Sequence, residues 1–262
     1  MKFGCCINFD KYDILVDIGF DFIELSGAVI HDLDEFEFSN INGIIGNNKV
    51  KCCGFNSLLR PDIKVVGNNI DKKLTKNYID KVVNRGAILG IDTIGFGSPL
   101  SRSIPTGFSN EQAMEQLVDF IEMLCQKAEP YGIKVLLEPL SKIETNFVNS
   151  IDEALRFLEL INSNNKGLLI DYYHFSLENE DINRLDNEVA KHLFHVHIAE
   201  SKNRSYLIKS NISLYKQFIN KLKYIGYYGK ISVEANYSNY EQDASLSLAI
   251  LRGIDGEQNG KG

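Results

Sequence analysis

The chain of 262 residues carries 28 Lys and Arg against 35 Asp and Glu, a formal charge of −7, and is long enough for one large domain or two small ones. With 44% hydrophobic and 24% charged residues it falls among globular chains rather than disordered ones. The acidic balance argues against sequence-independent nucleic-acid binding, which needs a basic footprint, and no stretch approaches the roughly 20 apolar residues that span a bilayer.

The first ten residues, MKFGCCINFD, turn polar and acidic too early for a signal peptide, so the expected setting is the cytoplasm. Four of the five cysteines form adjacent pairs, Cys5-Cys6 and Cys52-Cys53. Neighbours on a strand face opposite ways, so these read as core fillers rather than as disulfides or a metal clamp.

In chain order, strands are expected at Phe3–Asn8, Asp21–Ser26 and Val50–Asn56, with a helix after the first that ends near Gly19. A helix over Ile70–Leu89 precedes a strand at Asp92–Gly97. Ser109 with Gln112 has the capping-box pattern, followed by an apolar stripe of Met114, Leu117, Ile121, Leu124 and Ala128 and a stop at Gly132. Lys134–Leu140 is a fifth strand, and Ser150 with Glu153 opens another capped helix. Gly167–Phe175 forms a sixth strand with its exit loop, Leu193–Glu200 a seventh and Lys230–Tyr237 an eighth. Helices are expected over Ser213–Ile225 and Glu241–Arg252.

Eight strand–helix units average about 33 residues, close to what a parallel crossover requires. Apolar strands without clean alternation fit a sheet covered by helices. An α/β fold follows, a (β/α)8 TIM barrel of parallel strands forming a single domain over 1–255, with 256–262 a disordered tail. An open doubly wound sheet remains the alternative, although no G-x-G-x-x-G turn follows the first strand.

In such a barrel the chemistry sits at the carboxyl ends of the strands. Those ends carry Glu138, Asp171, His197 and Glu234, separated by 33, 26 and 37 residues, on strands about 4.8 Å apart. Singly, each carboxylate reads more often as a partner for a lysine or a loop amide, and a lone histidine as a hydrogen-bonded core residue. Together they form an oxygen-rich set suited to one divalent metal ion, Mn²⁺, Mg²⁺ or Co²⁺ rather than a closed structural zinc, because buried unpaired carboxylates are costly. His195 shares the face of His197 and is either inward or a support for it. His192 and His31 read as surface residues, and His174 sits within reach of a substrate oxygen.

These segments resemble the xylose-isomerase-like barrel superfamily, and within it the ketose 3-epimerases of the D-tagatose and D-psicose type. EPLSKIE matches E-P-L-x-x-x-E, which implies Glu138 as a metal ligand and Glu144 as a substrate-binding carboxylate. DYYH matches D-x-x-H, implying Asp171 on the metal and His174 on a sugar hydroxyl. HIAESKNR resembles H-x-G-E…R, implying His197 as ligand and Arg204 as a substrate contact, one residue later than in those enzymes and with Ala199 for the usual glycine. VEA supplies Glu234. The chain has no tryptophan for the substrate wall, which leaves Phe55, Phe96, Phe108, Tyr172 and Tyr237 as candidates. Arg102, in FGSPLSRSIPTGF, is placed either on the ligand or in a surface salt bridge.

The resemblance implies a metal-dependent isomerase or epimerase of a keto sugar or related polyol, in which Glu138 and Glu234 are the catalytic pair exchanging the proton beside a carbonyl through an enediolate. The implied partners are a small sugar and further copies of the chain, as a dimer or tetramer, with neither nucleic acid nor membrane. A C-glycoside deglycosidase subunit, which would need a small partner subunit, is the alternative. Less favoured are an abasic-site endonuclease, which would want more than five histidines and a basic surface, and a non-catalytic sugar-binding module.

Overall fold

The eight strands close on themselves in sequence order, every neighbouring pair parallel. They are β1 (Lys2–Ile7), β2 (Phe22–Ser26), β3 (Lys51–Asn56), β4 (Thr93–Phe96), β5 (Lys134–Leu137), β6 (Lys166–Asp171), β7 (Leu193–Ile198) and β8 (Lys230–Val233). Closure removes both sheet edges and settles the choice in favour of the barrel. The structure is a computed structural model describing residues 1–256. Of the expected tail, 257–262 lie outside the described residues, and Gly256 belongs to the last helix.

The helices, in order, are α1 (Tyr12–Ile18), α2 (Gly27–Asp32), α3 (Glu35–Gly46), α4 (Lys72–Leu89), α5 (Pro99–Arg102), α6 (Asn110–Ala128), α7 (Ile151–Leu160), α8 (Tyr172–Leu177), α9 (Asn187–His192), α10 (Ile212–Tyr224) and α11 (Tyr240–Gly256). They bury one face against the barrel. On α6 that face is Ala113, Leu117, Phe120, Ile121, Leu124, Cys125 and Ala128, while Met114 turns outward. Among the described residues, no helix is long and apolar enough to cross a membrane.

Caps explain where several helices start. Ser109 accepts the Gln112 N–H at 3.3 Å but donates to Glu111, so the expected box is only half formed. Ser150 accepts from Glu153 N, while the Glu153 carboxylate reaches past it to the Asn149 N–H. The complete reciprocal box lies at Asp34–Glu37, opening α3, which the apolar spacing does not announce. All five cysteines are free, with Cys5, Cys52 and Cys125 buried and Cys6 and Cys53 half-buried.

Two strands stop earlier than their apolar runs. β5 ends at Leu137, before Glu138 and Pro139, and β8 ends at Val233, before Glu234. Proline has no N–H to give the ladder. Each glutamate keeps one last ladder bond, Glu138 N to Phe96 O at 3.1 Å and Glu234 N to Ile198 O at 3.2 Å. Both carboxylates are thereby carried on ordered backbone at the mouth of the barrel.

Candidate metal centre and substrate cavity

β5, β6, β7 and β8 deliver Glu138, Asp171, His197 and Glu234 to one place. One ligand atom from each lies within 4.8 Å of all the others, with the first three residues buried and Glu234 half-buried. Asp171 pairs with His197 in the β6–β7 register, which sets those two at one level. Asp171 also caps α8, its Oδ1 accepting the Tyr173 N–H at 2.9 Å and leaving Oδ2 for the site.

Gly97 makes room for Glu138. A Cβ on that residue would lie 2.5 Å from Glu138 Oε2, closer than packing allows.

The donor set fits a divalent cation. Glu138 Oε1 and His197 Nδ1 are buried and lack a hydrogen-bond partner, a costly state unless another group satisfies them. His197 Nδ1 is 3.9 Å from Glu138 Oε1 and 3.1 Å from Glu234 Oε2. Burial, together with the charge of Glu234, pushes Glu138 up to about 8. Burial opposes ionisation of Glu234 too, yet Arg204 and His197 beside it hold its carboxyl below the usual range. Three carboxylates and one imidazole suit a hard or borderline divalent ion. A candidate divalent-metal site is therefore present.

Beneath it lies a second polar layer that the strand-end argument does not mark. Glu24, in the middle of β2, sends Oε1 to His195 Nε2 at 2.6 Å and Oε2 to His197 Nε2 at 3.2 Å. Ser232 Oγ donates to the same Glu24 oxygen that meets His195. All four residues are buried. His195 thus faces inward and braces Glu24 rather than joining the cluster of four. With Nε2–H of His197 given to Glu24, the Nδ1 lone pair is left toward the acidic cluster. Asn56 is also part of the site, donating to Glu234 Oε1 at 2.6 Å. The signal for Glu24 is the one that marks Glu138, a lone carboxylate in an apolar strand.

The residues expected to meet substrate line a cavity of about 410 Å³ together with Glu138 and Glu234: Glu144, His174 and Arg204. Arg204 reaches the site despite its displaced position, because Asn203 and Arg204 both take left-handed backbone (φ 62° and 48°). Its Nη2 lies 2.8 Å from Asp171 Oδ2 and 2.6 Å from Glu234 Oε2, and Nη1 3.3 Å from Glu144 Oε1. The guanidinium also sits over the Tyr173 ring at 4.7 Å. His174 Nδ1 faces the Ser141 N–H at 3.1 Å, and its Nε2 faces Arg204 Nη1 at 3.2 Å. Burial and the neighbouring Arg204 push His174 down to about 3 and keep it neutral.

Other expectations need correction. Arg102 is neither on the ligand nor at the surface. It is fully buried, donating to Phe96 O and Val148 O at 3.4 and 3.3 Å, where it ties down the β5 exit segment that carries Glu144. Burial lowers its guanidinium to about 10. Phe55 and Phe96 are core, Tyr172 packs on Tyr215 and Phe218, and Phe108 packs against the core. Of the five aromatic candidates, Tyr237 is exposed and lines a cavity. Neither His31, stacked on Tyr78 at 3.9 Å, nor His192, 3.6 Å from Glu188, is fully at the surface; both are half-buried.

A xylose isomerase-like TIM barrel model matches residues 12–254. The chain belongs to this family. It is 29% identical over 194 residues to a ketose 3-epimerase of Arthrobacter globiformis, covering 72% of this chain and 64% of that protein. It is 34% identical over 144 residues to an L-ribulose 3-epimerase of Methylomonas sp. (strain DH-1), covering 54% and 47%. The match to these curated relatives therefore spans between about half and just under two thirds of their length. The crystal structure of a D-psicose 3-epimerase with D-tagatose from Clostridium cellulolyticum H10 superposes with a TM-score of 0.83 at 19% identity, over 97% of this chain and 99% of that one. At that identity the likeness shows a shared fold.

Proposed function

We propose that the chain is a divalent-metal-dependent isomerase or epimerase of a keto sugar or related polyol. The observation that carries this reading is the convergence of two unpartnered buried atoms, Glu138 Oε1 and His197 Nδ1, with Asp171 and Glu234 in one cluster, of which Glu138 and Glu234 also line the cavity. The epimerase names of the similar proteins support it.

Glu138, Asp171, His197 and Glu234 would hold the ion. When bound, a divalent cation supplies Lewis acidity that makes the C–H beside a carbonyl easier to ionise. Glu138 and Glu234 are the acid/base pair: one takes that proton, leaving the electron pair in the enediolate, and the other returns a proton to the same or the adjacent carbon. Glu144 and His174 fix sugar hydroxyls, Glu144 as acceptor and His174 through its Nε2. Arg204 donates to a substrate oxygen and offsets the charge that develops there. The ion is Mn²⁺ in this reading, the working form a homo-oligomer, dimer or tetramer, and the setting the cytoplasm.

The test is metal analysis of the purified protein followed by a ketose panel with chiral product separation. Epimerised or isomerised ketose that requires the metal supports the reading, and metal-loaded protein that converts no keto sugar rejects it.

A further inference from the structure

Glu234 stands between two cavities. The 410 Å³ cavity holds the residues just described, and across Glu234 lies a second of about 560 Å³ lined by Cys6, Asn8, Lys11, Tyr206, Tyr237 and Tyr240. The two share Ser57, Glu234, Ala235 and Asn236. Each is within the size range of a small-molecule site.

The second lobe has the make-up of a site for an uncharged ring. Tyr237 is 48% exposed yet held in place, its ring edge-on to Tyr240 at 5.2 Å. Tyr240 in turn is buried and edge-on to Tyr206 at 6.2 Å. A fixed aromatic side chain at a cavity wall offers apolar area with little entropy to lose, which suits the flat face of a sugar or aryl ring. Asn8 and Asn236 add neutral hydrogen-bonding groups. The one cation among the described lining residues that the first cavity does not share, Lys11, is paired with Asp10 at 2.8 Å, which disfavours a phosphate or carboxylate there. Cys6, at the end of β1, is small enough to leave the lobe open toward the site, its Sγ 3.9 Å from His197 Nε2. At the shared rim Ser57 holds left-handed backbone at φ 43°, a strained conformation for a side-chain-bearing residue that tends to mark functional positions.

We infer that the substrate is a keto sugar carrying a second, uncharged ring, with the reacting sugar between Glu138 and Arg204 and the second ring across Glu234 against Tyr237. This rests on the keto-sugar reading and narrows it from free ketoses to ring-substituted ones. Contacts to the remote ring then contribute binding energy that can be used at the reacting carbons.

The test is calorimetric titration of the full-length protein, in the presence of Mn²⁺, with methyl β-D-glucoside, p-nitrophenyl β-D-glucoside and cellobiose. At least one ring-bearing ligand is expected to bind about tenfold tighter than the methyl glucoside, and which one does so identifies the ring as aryl or sugar. Tyr237→Ala should bring that preference close to one, and Tyr237→Phe, which keeps the ring, should preserve it. Equal affinity for all three ligands, or a preference untouched by Tyr237→Ala, overturns the inference. A parallel assay compares kcat/KM for D-fructose and D-tagatose with that for the 3-keto forms of the two ring-bearing glucosides. Turnover of free ketoses without a ring preference leaves the parent reading intact and sinks the inference. Ring-selective binding without turnover of any keto sugar does the reverse, leaving the lobe as a ring site and removing the epimerase reading.

Discussion

Glu24 Oε2 lies 3.2 Å from His197 Nε2, in a pocket where both side chains are buried. A carboxylate behind an imidazole fixes its tautomer and its ring plane, and raises the basicity of the nitrogen that faces the metal. Replacing Glu24 by Gln keeps the shape but removes that charge. Glu24→Gln is expected to weaken Mn²⁺ binding by about 10- to 100-fold, read by calorimetry on the metal-free protein. Unchanged affinity would mean that Glu24 merely fills the barrel interior.

Gly97 offers a steric test of the same centre. Its added Cβ would sit 2.5 Å from Glu138 Oε2 and 3.4 Å from Leu140 Cδ2, so Gly97→Ala must displace the carboxylate. The expected outcome is metal affinity reduced at least about tenfold with a fold retained by circular dichroism, since the conflict is with the end of a side chain. Wild-type metal binding in this variant would show that the Glu138 position is not needed.

Far from the centre, Glu180 supplies a pH prediction. Its carboxylate accepts the Ile151 N–H at 3.1 and 3.3 Å, at the start of α7. Burial raises its pKa to about 7 from the ordinary 4.5. The folded protein therefore binds this proton more tightly than the unfolded chain, so the contribution is fully present below pH 4.5 and is lost as pH rises through 7. Glu180→Gln keeps an acceptor for Ile151 and removes the titration. Urea unfolding across that window should show a shallower loss of stability with rising pH in the variant than in the wild type. Parallel curves would discount the raised carboxyl.

The barrel and the four converging side chains are legible from sequence because both are repeated patterns. Apolar runs recur at crossover spacing, and a ligand-type residue recurs at the end of four consecutive runs, Glu138, Asp171, His197 and Glu234. Glu24, Asn56 and Ser232 are not legible this way. Their roles follow from contacts across the barrel, Glu24 of β2 meeting His195 and His197 of β7 and Ser232 of β8, and Asn56 of β3 meeting Glu234, and such contacts leave no mark on local composition. Arg102 is misplaced for a related reason. A charged residue in a polar loop reads as exposed, and its burial depends on carbonyls supplied by Phe96 and Val148. Arg204 shows the opposite case, an offset of one residue absorbed by two left-handed backbone positions.

The central claim is that Glu138 and Glu234 move a proton at the carbon beside a carbonyl. It is tested most directly by running the metal-loaded enzyme in D₂O on a converted keto sugar and locating deuterium in the product by NMR. The account predicts one solvent deuterium at the inverted or newly reduced carbon, and no conversion by Glu138→Gln or Glu234→Gln despite a retained fold. A product free of solvent deuterium, or conversion by either variant at the wild-type rate, would contradict it.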